Sequence, residues 1–184
     1  MIRFIFSLAI VLLTATSIFS QAWKDRQNWP ADFPRPPKTE TSLFFLQRNL
    51  NVNTIMYDLN LNADGSINTK EPLEVYWKRY TGKRNGVRDE ITWLQDNFAF
   101  GYSSDKNDNE FDVKLVAYKD RRVKLKKING NWVATMRING KECQLSNIYV
   151  YADESGLTPD VKHVDLFGKD LATGNTEYER FFND

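Results

Sequence analysis

The sequence predicts a mainly β fold: an antiparallel meander closed into a calycin-like barrel, with a two-sheet sandwich as the alternative. After Thr41, apolar and polar side chains alternate with the period of two that is typical of half-buried strands. Aromatic residues, which favour strands, make up 14% of the 184 residues. Two Asn-Gly pairs, Asn129-Gly130 and Asn139-Gly140, stand between alternating runs. Both residue types tolerate the positive φ of a type I′ turn, so these pairs predict hairpins.

The first 20 residues are typical of a cleaved secretory signal peptide. Arg3 precedes an apolar run over residues 4–13, and a stretch rich in small residues leads to the expected cleavage between Ser20 and Gln21. The apolar run is shorter than the ~20 residues that a membrane-spanning helix needs. We therefore expect residues 1–20 to be removed from an exported protein, periplasmic or extracellular, that keeps no transmembrane anchor.

Charge and cysteine content limit the function classes. Without Arg3, 24 of the 25 basic residues remain against 24 acidic residues, so the mature net charge is zero. A neutral chain argues against a dedicated nucleic-acid-binding protein, and we expect no nucleic acid partner. Cys143 is the single cysteine, so an intrachain disulfide is excluded. Its strand-like surroundings predict a small buried residue.

Residues 21–42 are predicted to form a proline-rich N-terminal arm, because they contain four of the six prolines. Proline lacks the N–H that a strand ladder needs and biases the preceding residue toward extended geometry. The arm is expected either to wrap the domain, with Trp23, Trp29 and Phe33 as anchors, or to act as a tether. Residues 43–184 are expected to form a single β domain, which is long enough to bury a stable core without disulfides or metal ions.

Alternation also predicts the individual strands of the β domain. Their ranges, in chain order, are 43–48, 53–60, 73–80, 111–118, 123–128, 132–138, 142–151, 161–171 and 176–182. A final hairpin turn is expected at residues 172–175. The aromatic residues that we expect to face inward are Phe45, Trp77, Phe111 and Trp132.

One segment changes its period. Val87, Ile91, Leu94 and Phe98 recur at helical spacing, and Gly101 suits a stop, so we predict one short helix near 88–98. The helix is expected to plug one end of the barrel or to cover an exposed strand edge. Residues 103–110 are all polar and are predicted to form a loop.

Several runs in the β domain are shared with a known family. They are Gln47-Arg48-Asn49, Asn53-Thr54-Ile55, Tyr76-Trp77-Lys78-Arg79-Tyr80 and Phe100-Gly101. With these motifs the chain resembles a Bacteroidetes-type family of secreted bacterial proteins that carry domain of unknown function 4833. The resemblance spans most of residues 41–184. It implies a bacterial envelope or secreted protein with one β-rich domain, and because the family label carries no activity, it lends no catalytic residues.

Arg79 is the first candidate for a ligand site. The period of two places it on the same face as Val75 and Trp77, which we expect to be the inner face. A charge inside a barrel needs a partner, and a guanidinium suits a carboxylate or a phosphate of a ligand. A structural ion pair with an internal Asp or Glu is the alternative that we favour for Arg79, because such pairs are common. The candidate ligand-binding residues are Arg79, Trp77, Arg48 and Asn49.

The stretch over residues 60–71 reproduces the ligand spacing of an EF-hand calcium loop. Positions 1, 3, 5 and 12 are Asn60, Asn62, Asp64 and Glu71, and Gly65 occupies position 6. The flanking segments are predicted strands instead of helices, and position 1 carries Asn in place of Asp. We therefore favour a polar hairpin loop that turns at Asp64-Gly65. We expect no cofactor, with Ca²⁺ as the alternative.

The leading hypothesis for function is a non-enzymatic binding module of the bacterial envelope that holds a small apolar or amphipathic ligand inside the barrel. A structural or protein-interaction domain of the envelope is the first alternative. Its contact surface would be a basic stripe formed by Arg122, Lys124 and Lys126 on one strand face. We otherwise expect this stripe to be a solvated outer face.

An uncharacterised envelope hydrolase is the second alternative, although we expect no enzyme and name no catalytic residue. Cys143, His163 and Asp165 have the residue types of a nucleophilic set, but only geometry identifies such a set. The sequence has no phosphate-binding glycine loop, nucleophile elbow or zinc-ligand spacing. A hydrolase would need a cleft that contains an Asp, Glu or His with a perturbed pKa.

Overall fold

Eleven β-strands carry the fold in the part of the chain that the computed structural model describes, which is residues 34–49, 51–118, 121–153, 155 and 160–182. The fold is mainly β, with 60% strand. The predicted signal peptide over residues 1–20 lies outside the described residues, as does the predicted arm up to residue 33. The division of the chain into signal peptide, arm and β domain therefore stays a prediction.

The strands are joined mostly by short turns. In chain order they are β1 (Ser42–Arg48), β2 (Asn51–Leu59), β3 (Leu73–Lys78), β4 (Arg88–Glu90), β5 (Tyr102–Asn107), β6 (Glu110–Leu115), β7 (Val123–Ile128), β8 (Asn131–Ile138), β9 (Lys141–Asp153), β10 (Asp160–Asp170) and β11 (Thr176–Phe182). A 3₁₀ turn (Gly82–Arg84) precedes β4. Between β4 and β5, an α-helical turn (Trp93–Gln95) continues as a π-type turn (Asp96–Phe100), and we call residues 93–100 the helical segment. No helix among the described residues is long and apolar enough to cross a membrane.

The sheet is assembled on β9. Residues 141–144 of β9 pair with β8, and residues 147–150 pair in parallel with β1 along the same edge. The opposite edge of β9 pairs with β10. Ser146 is the extra residue of a β-bulge between the two stretches, because Asn147 pairs with Phe167 and Leu145 pairs with Gly168. A bulge increases the local twist, so β8 and β1 diverge where they share this edge.

Two antiparallel ribbons leave the shared edge of β9. One ribbon runs β1–β2–β3–β4, and the other runs β8–β7–β6–β5. Together with β10 and β11 they form an open, strongly curled half-barrel. Among the described strands, β4, β5 and β11 each pair with one neighbour, so closure into a calycin-like barrel is not confirmed.

Apolar side chains fill one face of the curled sheet. Phe111 and Trp77 are buried, and half-buried Trp132 lies 5.7 Å from Phe111 between ring centroids. The predicted inward positions of these three residues are confirmed. The prediction for Phe45 is wrong, because Phe44 takes the core position instead. A register irregularity at the start of β1 breaks the alternation, so counting by two reaches the wrong face.

The predicted hairpin turns are confirmed. Asn129 and Asn139 have φ angles of 52° and 50°, and the glycines that follow them, Gly130 and Gly140, have φ angles of 84° and 75°. Positive φ at both central residues is the type I′ geometry that matches the twist of the flanking strands. These turns join β7, β8 and β9 into the predicted meander. The predicted final hairpin is also present, between β10 and β11.

The predicted short helix is confirmed, but it begins later than expected, and the predicted loop over residues 103–110 is wrong. β4 occupies residues 88–90, and the helical segment begins only at Trp93. Residues 103–110 are not a loop, since they form most of β5, a turn and the first residue of β6. Most side chains of β5 are exposed, and the strand lies at a sheet edge. An edge strand of this kind buries neither face, so apolar alternation gives no signal for it.

The described end of the predicted arm is bonded to the sheet. Residues 34–41 have no regular secondary structure. Gln47 donates its Nε2–H to the Pro34 carbonyl oxygen at 3.0 Å, and Arg35 donates from Nη1 to Asn147 Oδ1 at 3.4 Å. Gln47 is fully buried and also donates to Thr54 Oγ1 at 3.1 Å. These bonds fix the chain against β1 and β9 just before the first strand.

Candidate functional site

A cavity of about 840 Å³ opens beside the turn between β1 and β2. Its walls come from β1, β2, β3, the helical segment and the ends of β9 and β10. Three of the four residues that the sequence suggests for ligand binding, Arg48, Asn49 and Trp77, lie on these walls. The fold thus brings together three residues that are up to 29 positions apart in the chain.

Strand order gives the cavity a polarity gradient. In β1, Leu46 comes before Arg48, and in the antiparallel β2, Asn51 and Asn53 come before Ile55. The polar side chains therefore gather near the β1–β2 turn, and the apolar ones lie farther along both strands. Leu46 and Ile55 are almost completely buried. A cavity with an apolar interior and a polar rim fits a ligand that has both characters.

The helical segment forms one wall of the cavity through Gln95, Ala99 and Phe100. Gln95 Oε1 accepts the backbone N–H of Thr92 at 3.0 Å and the indole Nε1–H of Trp77 at 3.2 Å. Thr92 Oγ1 in turn accepts the backbone N–H of Gln95 at 3.3 Å, which completes a capping box. One amide side chain thus caps the helical segment and attaches it to β3.

The C-terminal end of the helical segment is also anchored. Tyr57, fully buried on β2, donates its hydroxyl to the Phe100 carbonyl oxygen at 2.8 Å, and burial raises the pKa of Tyr57. The Phe100 ring meets the Trp77 ring edge to face, with centroids 5.3 Å apart. Gly101 donates its N–H to the Asp96 carbonyl oxygen at 3.0 Å. A Cβ at position 101 would lie 2.2 Å from that oxygen, so glycine is required where the segment stops.

Asn49 holds the β1–β2 turn against β9. Its φ is 47°, a left-handed value that asparagine tolerates better than most residues. Its N–H donates to the Val150 carbonyl oxygen at 2.9 Å, and its Oδ1 accepts the Ala152 N–H at 2.7 Å. The Tyr149 hydroxyl donates to the Asn49 carbonyl oxygen at 3.2 Å. Asn49 therefore shapes the cavity rim with most of its polar atoms.

The rim carries both cations and a carboxylate. Arg48, Lys162 and Asp153 line the cavity. The hydrogen bond that Lys162 donates to Asp160 raises the pKa of Lys162, which keeps the ammonium protonated. Ser155 donates its backbone N–H to Asp153 Oδ1 at 2.9 Å, and this bond lowers the pKa of Asp153. The Lys162 ammonium and the Asp153 carboxylate therefore both stay charged at neutral pH.

Arg79 lies behind the cavity wall and is not among the lining residues. Its Nε donates to Asp89 Oδ2 at 2.6 Å, and Arg84 also pairs with Asp89. The Arg79 guanidinium lies 4.6 Å from the centroid of the Trp77 ring. Arg79 thus forms the structural ion pair that we favour for it from the sequence. Through the cation–π contact, Arg79 supports the Trp77 side chain that faces the cavity.

The sequence alone does not reveal the other rim residues. Asp153 and Lys162 reach the cavity from β9 and β10, about 100 positions after β1, because β9 pairs in parallel with β1. Gln95 and Ala99 lie in the segment whose helical spacing predicts a helix at one end of the barrel. That spacing is the sequence signal that could point to these two residues. Asn51 and Asn53 lie shortly after the shared Gln-Arg-Asn run, so proximity along the chain points to them.

The EF-hand-like loop adopts the favoured hairpin conformation between strands β2 and β3. Asp64 Oδ1 accepts the N–H and the hydroxyl of Ser66 at 2.9 and 2.6 Å, and Gly65 has a φ of 78°. Asn62 donates from Nδ2 to Ser66 Oγ at 2.9 Å. Asn68, which is not one of the predicted ligands, accepts the N–H groups of Lys70 and Glu71. Asn60 also donates its backbone N–H to the loop end, at Pro72 O.

Lys124 and Lys126 of the basic stripe lie on the outer face of β7, as expected, because Val123 and Leu125 on the opposite face are fully buried, and Arg122 precedes the strand. The basic stripe borders a second concavity of about 870 Å³. The basic residues that line this concavity are Arg121, Arg122, Lys124, Lys126 and Arg137. Several of them are paired: Lys126 contacts Glu142, and Arg121 bonds Glu179 at 2.8 Å.

Cys143, His163 and Asp165 do not form a nucleophilic set. Cys143 is fully buried, and burial raises the pKa of its thiol. It pairs with Asp170 at one end of β10, whereas His163 pairs with Tyr151 near the other end. Asp165 accepts two hydrogen bonds from Arg180, at 2.7 and 2.9 Å, which makes it part of a structural ion pair.

A family model matches most of the chain. The family described as "Domain of unknown function (DUF4833)" matches residues 44–180 of the chain. This range begins in β1, ends in β11 and includes every strand that lines the cavity. The chain has no significant match among curated protein sequences or solved structures. The matched range covers well over half of the chain, which therefore belongs to the family of the domain of unknown function DUF4833.

Proposed function

We propose that the chain is a non-enzymatic binding module for a small amphipathic ligand with an anionic head group. The observation that carries this proposal is the cavity beside the β1–β2 turn, which has an apolar interior and a rim with cations. The ligand would lie within the curled sheet, in the manner of a calycin, with its tail toward Leu46, Ile55 and Trp77 and its head toward Arg48.

The size of the cavity supports this proposal. Its volume of about 840 Å³ lies within the range of ~300–1,000 Å³ that is usual for small-molecule sites. Trp77 and Phe100 offer aromatic surface to an apolar chain. Arg48 can form paired hydrogen bonds with a carboxylate or a phosphate, and Lys162 adds a second cation at the rim.

The charge state of the cavity supports binding over hydrolysis. Asp153 is the carboxylate among the described lining residues, and its pKa is lowered by the Ser155 backbone N–H. A general acid or base works best with a pKa near the operating pH, so a carboxylate shifted downward is poorly suited. His163, the single histidine of the chain, is not a lining residue.

An envelope location would suit such a module. The signal-peptide-like residues 1–20 support export, and an exported protein would meet amphipathic molecules released from or destined for the envelope. Export is tested by expressing the full chain in a bacterium and determining the N-terminus of the product. A mature protein that begins at Gln21 in the periplasm or medium supports export, and a cytoplasmic product that keeps Met1 contradicts it.

The head-group preference tests the proposed function. Dodecanoate and dodecanol, which share a chain length, would be titrated separately against displacement of the fluorescent fatty acid cis-parinaric acid. We expect the wild type to prefer the carboxylate by about tenfold, the value of one good charge-assisted contact. Arg48→Met should remove most of that preference, with Lys162 as the remaining rim cation, and should retain dodecanol binding. Arg122→Met, an exposed change just before β7, is the matched control and should bind as the wild type does.

A failure of that experiment is easy to identify. If the wild type binds neither dodecanoate nor cis-parinaric acid, the amphipathic-ligand proposal is contradicted. If the wild type binds both dodecyl compounds equally and Arg48→Met changes nothing, the cavity would accept apolar chains without the proposed head-group contact.

A protein-interaction domain is the second candidate, and the concavity beside the basic stripe favours it. Its occupant would be an acidic protein segment, because five of the ten lining residues are basic. The double variant Lys124→Glu/Lys126→Glu should abolish capture of a synthetic poly-glutamate peptide by the immobilised protein. Unchanged capture would contradict this candidate.

A further inference from the structure

The helical segment presents a cluster of large apolar side chains to solvent. Trp93, Leu94 and Phe98 are 71%, 62% and 72% exposed. The rings of Trp93 and Phe98 contact each other edge to face, with centroids 6.1 Å apart. We call these three residues the apolar patch. Exposed aromatic residues clustered in this way usually mark a surface that contacts another molecule.

The helical segment that exposes the apolar patch is fixed at both ends. The capping box of Thr92 and Gln95 fixes the start of the segment, and the bond from Tyr57 to the Phe100 carbonyl fixes its end. Gln95 and Ala99 face the cavity, so Leu94 and Phe98, one position earlier in each case, point away from it. π-type turns such as residues 96–100 occur frequently at functional sites.

The apolar patch and the cavity belong to the same short segment. Gln95, Ala99 and Phe100 line the cavity, and the patch residues lie between and beside them in the chain. A surface that covers the patch would therefore lie at the cavity wall. A lipid surface at this position would be one from which an amphipathic ligand could enter the cavity.

Charge near the patch favours an anionic lipid surface. The stretch over residues 78–98 contains five basic and three acidic residues. Its 3₁₀ turn carries exposed Lys83 and Arg84, of which Arg84 is also ion-paired with Asp89. The loop that follows is tied to Arg79, because Arg79 donates its N–H to the Val87 carbonyl oxygen at 3.0 Å. Arg79 lies over Trp77, which bonds Gln95, so the basic turn and the helical segment share a support.

We propose that the apolar patch docks the protein on an anionic lipid surface, with Trp93 and Phe98 inserted at the interface and the basic 3₁₀ turn at the head groups. This inference deepens the proposed function, on which it rests, by naming the surface from which the amphipathic ligand enters. Trp93 and Phe98 are docking residues in this proposal, and Arg48 remains the residue for the bound ligand.

Co-sedimentation with vesicles tests the docking. The full mature chain would be mixed with vesicles of phosphatidylcholine and phosphatidylglycerol, and with vesicles of phosphatidylcholine alone. We expect binding to the anionic vesicles and a roughly tenfold lower partition for the double variant Trp93→Ala/Phe98→Ala. Phe182→Ala removes an aromatic ring that is 68% exposed on β11, so it is the matched control and should partition as the wild type does.

The outcomes separate this inference from the proposed function. Cis-parinaric acid binding in solution should be unchanged in the double variant, because the patch does not line the cavity. The docking proposal is overturned if the wild type does not bind anionic vesicles. It is also overturned if the double variant binds them as well as the wild type does. If the wild type is a dimer that does not bind vesicles and the double variant is a monomer, the docking proposal is overturned. The apolar patch would then contact a second copy of the chain. Vesicle binding that depends on the patch in a protein that takes up no cis-parinaric acid supports docking and contradicts only the proposed function.

Discussion

The phenol oxygen of Tyr102 bonds both backbone groups of Leu73: it accepts the Leu73 N–H at 2.9 Å and donates to the Leu73 carbonyl oxygen at 2.8 Å. Tyr102 begins β5 and Leu73 begins β3, so this hydroxyl joins the two ribbons of the sheet. One side chain thus supplies the two hydrogen bonds that a backbone pair would otherwise make between β3 and β5. Burial raises the pKa of Tyr102 to about 12, so the hydroxyl keeps the proton that it donates.

Tyr102→Phe is expected to destabilise the protein by about 2 kcal/mol. The ring remains, but the N–H and carbonyl of the buried Leu73 lose their partner, and unpaired buried polar groups are costly. Urea denaturation of the variant measures the free energy of unfolding. Tyr151→Phe, which removes a hydroxyl from a ring that is 45% exposed, is the control and should change stability by much less. Equal stability of Tyr102→Phe and the wild type would show that the ribbons do not need this bridge.

Gln95 is expected to matter to both stability and ligand binding. Gln95→Ala removes the oxygen that accepts from Trp77 and Thr92, so the cap and the cavity wall are lost together. We expect a loss of about 1–2 kcal/mol in the free energy of unfolding and weaker binding of cis-parinaric acid. Urea denaturation and fluorescence titration measure the two effects.

Gln95→Glu distinguishes the acceptor role from other effects of the substitution. A carboxylate also offers an oxygen to both donors, so this variant should retain most of the stability and binding that Gln95→Ala loses. If Gln95→Glu behaved as Gln95→Ala does, the two hydrogen bonds could not be the reason for the loss.

His163 is expected to make stability depend on pH. Burial lowers its pKa, the guanidinium of Arg180 lowers it further, and Asp165 partly offsets both. The rings of Tyr149, Tyr151 and Phe182 also face it. The unfolded chain therefore takes up a proton near the ordinary pKa of about 6.5, while the folded chain does so only at lower pH. Stability should be complete above that value and fall as the pH decreases toward the folded pKa.

The variant His163→Phe isolates this effect, because the chain has one histidine. Phenylalanine keeps an aromatic ring and does not titrate. The difference in free energy of unfolding between wild type and His163→Phe should therefore shift against the wild type as the pH decreases from about 8 to about 5. Carboxylates that do not contact His163 have the same surroundings in both proteins and cancel in this difference. A difference that stays constant over the range would contradict the lowered pKa.

Local sequence signals predict most of the fold. The Asn139-Gly140 turn, like its neighbour, needs positive φ at consecutive residues, and few other residue types supply it, so its geometry is visible in the sequence. β5 is not visible, because an edge strand with exposed faces has no need for apolar alternation. The exchange of Phe44 for Phe45 in the core has a different cause: β1 has a register irregularity between Ser42 and Phe44, which local alternation does not reveal.

The candidate site is predictable in part. Trp77 can be chosen from the sequence because it is a large residue on an inner face. The placement of Arg48 near it depends on the pairing of β1 with β2 and of β2 with β3, which the sequence does not show. Arg79 shares the face of Trp77, but its nearby partner Asp89 depends on the pairing of β3 with β4, which local patterns do not reveal. Lys162 reaches the cavity through a pairing of β9 with β10 and β1, and long-range pairings leave no local trace.

Filling the cavity tests the central claim most directly. Ala99→Phe places a ring in the cavity wall, whereas Ala172→Phe makes the same change at an exposed turn between β10 and β11. Titration with cis-parinaric acid should show saturable binding by the wild type and by Ala172→Phe, and at least roughly tenfold weaker binding by Ala99→Phe. Binding by Ala99→Phe that equals the wild type would place the ligand elsewhere and contradict the account.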